Sequence, residues 1–293
     1  MKLGVIGGSG LYNIEGLTDL ETKSLDTPFG PPSDDYVRGK LDGCEIFFLP
    51  RHGRGHRILP SEINYRANIY GFKLLGVEQI MSISAVGSLK EELRPGDMVL
   101  PDQYYDRTRS AFGHTFFGEG IVAHVAFGDP TCATFRELLA DVSRRFIAEE
   151  WHNKDVRVVS GGTYVNMQGP AFSTRAESNA YRQFGFDIIG MTSLAEAKLC
   201  REAEICYQAM AMVTDYDCWK IGEEAVNIDL VIQTLSGNTQ LAKTLLPRIV
   251  AGLPDRRSCR CGESLSCAIV TDPSVIPDET RMKLKPIIGK YIP

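Results

Sequence analysis

Thr214-Asp215-Tyr216-Asp217 sets two carboxylates one residue apart where an apolar run, Tyr207 to Val213, comes to its end. A run of that length suits a fully buried parallel strand, and open α/β sheets bind ligands at the carboxyl ends of their strands. With side chains of the same parity, Asp215 and Asp217 can face one ligand together. A buried carboxyl that keeps its proton donates to a ring nitrogen, whereas an ionised one accepts from an exocyclic amine. Such a pair suits the edge of an adenine. An acidic turn that caps the following helix would carry the same letters.

A second group of residues suits an oxyanion. Arg51-His52-Gly53-Arg54-Gly55-His56 places cations and imidazoles between glycines at a strand exit. Arginine offers a planar fork for phosphate oxygens, and His52 can add a donor; a solvated basic loop is the plainer alternative. Gly7-Gly8-Ser9-Gly10 follows the first apolar run, but Asn13 stands where a dinucleotide fingerprint needs its third glycine, and no Walker lysine follows. What remains is a tight turn whose amides and Ser9 hydroxyl can approach an anion. Ser84-Ala85-Val86-Gly87-Ser88 supplies a further exit of small residues. Phe172, ahead of a helix, offers a stacking face for a flat ring. Met191 could lie under a sugar and Thr192 could bond phosphate.

The elements that must position these residues alternate between apolar runs and amphipathic stretches. Strands are expected at Lys2 to Ile6, residues 44 to 49, Ile80 to Ser84, Met98 to Pro101, Val156 to Ser160, Tyr164 to Met167, Ile188 to Met191 and the run before Asp215. Helices are expected at Ser61 to Leu75 (capped by Ser61, with Ile63, Ala67, Tyr70 and Leu74 on one stripe), Ala133 to Glu150, Ser173 to Gln183, Leu194 to Glu202 and Ala225 to Leu246. The alternation predicts an α/β fold, a mixed but mainly parallel sheet flanked by helices, with residues 1–293 in one domain. Asp102 to Pro130 reads as a long loop carrying Tyr104, Tyr105, Phe112, Phe116 and Phe117, aromatics that would be exposed unless a partner covers them.

Composition bounds the function. The chain has 293 residues, 43% of them hydrophobic, with a net charge of -5. That balance argues against a dedicated nucleic-acid binder. No continuous apolar stretch is long enough to span a membrane. A strand begins within three residues of Met1, which leaves no room for a signal peptide; the expected compartment is the cytoplasm. Of eight cysteines, Cys44, Cys132, Cys200, Cys206 and Cys218 are dispersed and read as small core residues. Cys259, Cys261 and Cys267 fall close together. They suit structural thiols, a local disulfide or a metal site, although zinc would want a second pair and no histidine stands near.

Taken in order, the Gly-Gly-Ser-Gly turn, Arg-His-Gly-Arg, Ala-Val-Gly-Ser-Leu, Gly-Pro-Ala-Phe-Ser-Thr-Arg-Ala-Glu, Gly-Met-Thr and Thr-Asp-Tyr-Asp-Cys-Trp-Lys resemble one family across nearly four fifths of the chain. It is the 5′-methylthioadenosine phosphorylase branch of the trimeric purine nucleoside phosphorylases. The resemblance implies the nucleoside phosphorylase fold and phosphate-dependent cleavage of 5′-methylthioadenosine to adenine and 5-methylthioribose 1-phosphate. No metal or organic cofactor is implied; inorganic phosphate is a co-substrate. It places phosphate on Ser9, Arg51, His52, Ser84, Ala85 and Thr192, ribose on Met191, and purine on Phe172, Ser173, Asp215 and Asp217. Asp215, Asp217 and His52 would carry the chemistry. Val226, Ile228 and Val231 would line the 5′ pocket, joined by His124 lent from a neighbouring subunit of a trimer or a dimer of trimers. Ser9, Gln168 and Gly190 depart from the family's usual Thr, Glu and Asn. A 6-oxopurine nucleoside or methylthioinosine phosphorylase would prefer an amide at the base edge; a nucleoside hydrolase would not need the Arg51-His52 cluster.

Overall fold

Runs such as Gly4–Leu3 neighbours of Ile46 and Ile80 are apolar on both faces, so they are stable only where helices cover both sides of the sheet they form. The structure, a computed structural model, describes residues 1–8, 14, 16–109, 113–220 and 228–292; the side chains of 228–233 lie outside that description. Its strands are β1 (Lys2–Gly7), β2 (Thr18–Lys23), β3 (Tyr36–Leu41), β4 (Cys44–Pro50), β5 (Gln79–Ser88) and β6 (Met98–Leu100). They continue with β7 (Gln103–Arg107), β8 (Val158–Ser160), β9 (Thr163–Met167), β10 (Ile188–Gly190) and β11 (Cys206–Asp215). The helices are α1 (Tyr65–Leu74), α2 (Ala133–Glu149), α3 (Arg175–Gln183), α4 (Ser193–Glu202), α5 (Ile228–Gly252) and α6 (Asp278–Ile288).

One sheet runs β2-β3-β4-β1-β5-β10-β9-β7, and β11, β6 and β8 extend it from β5. β5 is the hub. It pairs in parallel with β1 near its start and with β11 along most of its length, and antiparallel with β10 at Gly87 and Ser88. The pairs β1–β4, β6–β8, β7–β9 and β9–β10 are also parallel, so the sheet is mainly parallel as expected. Residues of α1, α4 and α6 form one apolar layer with Tyr36, Ile80 and Tyr207; those of α2 and α5 form the other with Val5, Phe48 and Met210.

The differences from expectation have physical reasons. Ser61 does not cap α1: residues 61–64 turn first, and the Asn64 side chain accepts from the Ala67 amide at 3.1 Å. Leu74, expected on the buried stripe, is exposed, while Ile69 and Phe72 are buried. β2 was not legible because Thr-Asp-Leu-Glu-Thr-Lys is an exposed, charged edge strand with no apolar alternation to detect. β5 runs on to Ser88, so Ser84 to Ser88 is strand rather than an exit loop. The segment from Asp102 opens with β7, held in register by β9. Most of its described aromatics serve this chain's own core: Phe116 is buried against Phe29 and Tyr70, and Tyr104 lies against Tyr164, whereas Tyr105 is exposed as expected, beside Phe186. Phe117 is partly buried on the same cluster; Phe112 lies outside the described residues.

Candidate active site

The carboxyl ends of β1, β4, β5 and β11 and the turn after β10 open into one cavity of about 460 Å³. That volume falls within the range of small-molecule sites. Arg51, His52, Ser84, Ala85, Phe172, Met191, Thr192, Asp215 and Asp217 all line it. The sheet therefore gathers segments from distant places in the chain at one edge.

Asp215 is the last residue of β11, and a register shift between Val213 and Asp215 breaks the plain alternation of the strand. Asp217 lies beyond it in the left-handed region, φ 52°, which aspartate tolerates better than most residues. The two carboxylates share the cavity through this bulge and turn, not through strand parity. Asp215 accepts from the Thr214 hydroxyl at 2.7 Å and from the Asp217 amide at 2.8 Å. Burial raises its pKa, against those two bonds. Burial, reinforced by the neighbouring Asp215 charge and opposed by the Ser178 hydroxyl, pushes Asp217 up to about 6. Asp217 Oδ2 is buried with no hydrogen-bond partner among the described residues. An oxygen so placed points to a ligand. Cys218 Sγ donates to Ser173 O at 3.2 Å, and Trp219 Nε1 to Ser88 O at 2.8 Å, tying the aspartate turn to the Phe172-Ser173 turn and to β5. Ser173 is half-buried beside the cavity rather than in its lining.

Arg51 is 3% exposed and already held by protein. Nε donates to Glu196 Oε1 at 2.5 Å, Nη2 to Ser82 Oγ at 2.5 Å and Glu196 Oε2 at 3.3 Å, and Nη1 to Ile83 O at 3.3 Å. A guanidinium has five N–H donors, so one Nη1–H is left for the cavity, and the bidentate fork expected for phosphate is spent on Glu196. Glu196 also accepts from Ser82 Oγ at 2.6 Å and Tyr207 Oη at 2.8 Å. His52 Nδ1 lies 2.8 Å from Ile58 O, a group that only accepts, so the proton sits on Nδ1 and Nε2 is a bare acceptor. Burial first, then the Arg51 charge, lowers its pKa to about 4, which keeps the ring neutral at pH 7. As built, His52 accepts where a donor was expected.

Among the described residues Ser84 Oγ is buried without a partner, and Thr192, the residue ahead of α4, makes no side-chain capping bond. Both hydroxyls, and the N-terminus of α4, remain available to an anion. Asn166 fixes this turn: its Nδ2 donates to Met191 O at 3.2 Å and its Oδ1 accepts from Leu194 N at 3.0 Å. At Gly190 a Cβ would stand 1.9 Å from Tyr164 Oη, which explains glycine there. Gln168 Oε1 accepts from the Arg109 amide at 3.0 Å, so the amide does structural work in its turn.

Ser9 and Val226 lie outside the described residues; Ile228 and Val231 belong to α5, but their side chains do not. His124 is exposed and away from this cavity, its amide donating to Ala268 O at 2.9 Å. Gly8 and His56, parts of the glycine turn and the Arg51-to-His56 segment, also line the cavity; residues not foreseen include Glu196 and Ser82 behind Arg51, and Leu235, Asn238 and Thr239 from α5. Leu235, Asn238 and Thr239 recur at helical spacing, which the sequence does display. Glu196 gave no local signal.

Residues 2–251 match the family model described as the Phosphorylase superfamily. The chain is 54% identical over 290 residues to the S-methyl-5'-thioadenosine phosphorylase of Koribacter versatilis, covering 99% of this chain and 96% of that protein. A methylthioadenosine phosphorylase from an Antarctic soil metagenomic library superimposes with a TM-score of 0.91 at 45% identity, covering 97% of this chain and 98% of that one. The methylthioadenosine phosphorylase of Schistosoma mansoni in complex with adenine gives a TM-score of 0.82 at 36% identity, over 91% of this chain and 96% of that one.

Proposed function

The chain belongs to the phosphorylase superfamily and, within it, to the S-methyl-5'-thioadenosine phosphorylases, and we infer that it cleaves the N-glycosidic bond of S-methyl-5'-thioadenosine with phosphate. Adenine and 5-methylthioribose 1-phosphate are the products. The observation that carries the chemistry is one cavity holding both a carboxyl pair with raised pKa values and an arginine-hydroxyl cluster.

As the C1′–N9 bond breaks, its electron pair goes to the purine and positive charge develops on the sugar ring. Phosphate oxygen stabilises that charge and bonds C1′ from the opposite face, with inversion. We assign Asp215 the proton delivered to N7 and Asp217 the exocyclic amine and the orientation of that edge. Asp215 then regains its proton from solvent. Its raised pKa supports the Asp215 role, since an acid works near neutral pH only if some of it stays protonated; Asp217, pushed up to about 6, is mostly ionised at pH 7 and can accept from the amine. Phe172, 60% exposed at the cavity mouth, offers the ring face on which the base stacks; Ser173 secures that turn, and Met191 underlies the ribose. Phosphate is assigned to Arg51, Ser84, Ala85, Thr192 and Ser9. His52, with Nε2 unprotonated, takes a hydrogen bond from a protonated phosphate oxygen. The nucleophile is the co-substrate and the acid is a side chain, so the proposed reaction uses no metal or organic cofactor.

The test is the dependence of adenine release on phosphate. We expect release from methylthioadenosine to vanish when phosphate is removed, with 5-methylthioribose 1-phosphate formed in equal amount to adenine. Free methylthioribose would mean hydrolysis and overturn the assignment. A 6-oxopurine substrate fits less well, because its O6 needs a donor, which an amide always offers and a carboxyl offers only while protonated.

The proposed assembly is a trimer or a dimer of trimers in which His124 completes a neighbour's 5′ pocket. Supporting it, His124 faces out of its own subunit beside exposed Val122 and Val270, which are joined through the Val270 amide and Val122 carbonyl at 3.0 Å. His124→Ala should raise the KM for methylthioadenosine roughly tenfold, equivalent to about 1.4 kcal/mol, with the phosphate KM little changed. A fully active monomer in sedimentation at assay concentration would rule out the assembly. The proposed compartment is the cytoplasm: none of the eight cysteines is joined in a disulfide, which suits a reducing environment. No helix among the described residues is long and apolar enough to cross a membrane.

A further inference from the structure

Cys132, Cys206, Cys259 and Cys261 bring four sulfur atoms within 4.8 Å of one another. Cys132 precedes α2, Cys206 opens β11, and Cys259 and Cys261 flank the first residue of a short 3-10 turn (Arg260–Glu263). Two of these cysteines were expected to be isolated core residues. The fold instead supplies them as the second pair that Cys259-Arg260-Cys261 lacked in sequence. We propose that the four thiolates form a structural site for one thiophilic divalent ion of the zinc class.

Three observations carry this. First, a tetrahedral ion with sulfur at 2.3 Å sets its ligands about 3.8 Å apart along every edge, and all six sulfur pairs here lie inside 4.8 Å. The Cys206–Cys259 pair, at 3.1 Å, is well beyond a covalent S–S bond of about 2.05 Å. Second, the ligand set is uniform: four soft donors without carboxylate or imidazole select zinc or iron over magnesium or calcium. Third, a cation stands by. Arg257 Nη1 lies 3.9 Å from Cys206 Sγ and is anchored on Glu204 O at 2.7 Å. Four thiolates around a divalent ion leave a net charge of 2−, and Arg257 offsets part of it. Gly262 makes room for that side chain, since a Cβ there would fall 2.3 Å from Arg257 Nη2.

On binding, each thiol releases its proton to solvent and no oxidant is consumed. All four positions are filled by protein, so the site has no open coordination for substrate. It also lies at the wrong end of β11 for the reaction: Cys206 and Asp215 bound a ten-residue strand, roughly 30 Å apart along it. Its work is to fasten the segment after α5 to β11 and α2. That segment goes on to Ala268 and Ile269, which hold the loop carrying His124: Ala268 O accepts from the His124 amide, and Ile269 bridges Ala123.

The test is metal analysis of the full chain purified under reducing conditions without added metal. We expect about one zinc or iron per chain, and X-ray absorption showing four sulfur neighbours near 2.3 Å. The double variant Cys259→Ser/Cys261→Ser should lose the metal and melt at least about 5 °C lower, with kcat/KM for methylthioadenosine at 25 °C within twofold of the parent. Metal-free protein whose four thiols all react with a thiol reagent would overturn the proposal. So would metal-free protein whose intact mass is lower by four hydrogens, the mark of two disulfides. If the double variant does not fold, the metal content and sulfur coordination of the unaltered chain still decide the matter.

Discussion

Asp215→Asn is expected to lower kcat for methylthioadenosine by at least about a hundredfold, the low end of what a positioned general acid contributes. The amide keeps the shape: its Oδ1 can still accept from the Asp217 amide, and its Nδ2 can donate to the Thr214 hydroxyl, which keeps its own bond to Val86 O, so the fold is not at stake. What it removes is a proton that can leave for N7. Because an amide can donate to O6, activity on 6-oxopurine nucleosides should rise relative to methylthioadenosine. Near-normal adenine release would take Asp215 out of the mechanism. The pH dependence follows from its neighbour. Asp217 titrates at about 6 against an ordinary 3.8, so the folded protein binds that proton more tightly than the unfolded chain. Stability from this group is fully present below about 3.8 and is lost as pH rises through about 6, above which both states have lost the proton. In the free enzyme, kcat/KM should fall on the alkaline side of a limb belonging to the aspartate pair. Asp217→Asn should remove or displace it; an unmoved limb would assign it to another group.

Arg51→Lys should raise the phosphate KM by about tenfold or more, while the nucleoside KM changes far less. Lysine keeps the charge but cannot serve Glu196, Ser82 and Ile83 while also reaching the cavity. The reverse pattern, nucleoside KM rising alone, would remove Arg51 from the phosphate site. Arg51→Ala is the blunter change. It strands the buried Glu196 carboxylate, and losing one partner of a buried pair costs about 3–5 kcal/mol. Its activity loss would therefore mix chemistry with unfolding, and thermal melting should accompany the kinetics.

Much of the site was legible because it is built from short segments at strand ends. Asp215, Met191, Arg51 and Ser84 each follow an apolar run, and an α/β sheet delivers such positions to one edge whatever the order of its strands. Periodicity also located α2 to within one residue. It failed where polarity hid the pattern, as in the exposed strand β2, and where a local bond competed, as when Asn64 displaced Ser61 as the cap of α1.

By itself the sequence determined the chemical parts: a carboxyl pair for a base edge, cations and hydroxyls for an oxyanion, and the alternation that makes a mainly parallel sheet. Tertiary structure alone decided how those parts are poised. Glu196 lies 145 residues from Arg51, yet it takes most of the guanidinium's donors. Ile58 fixes the tautomer of His52. The bulge after Val213 turns Asp217 into an environment that raises its pKa. Cys132 and Cys206 meet Cys259 and Cys261 only once β11 and α2 are packed. Each of these depends on burial and on contacts between distant segments. Local propensity and spacing register neither, because the energy of a buried charge or thiol is set by the neighbours the whole fold brings to it.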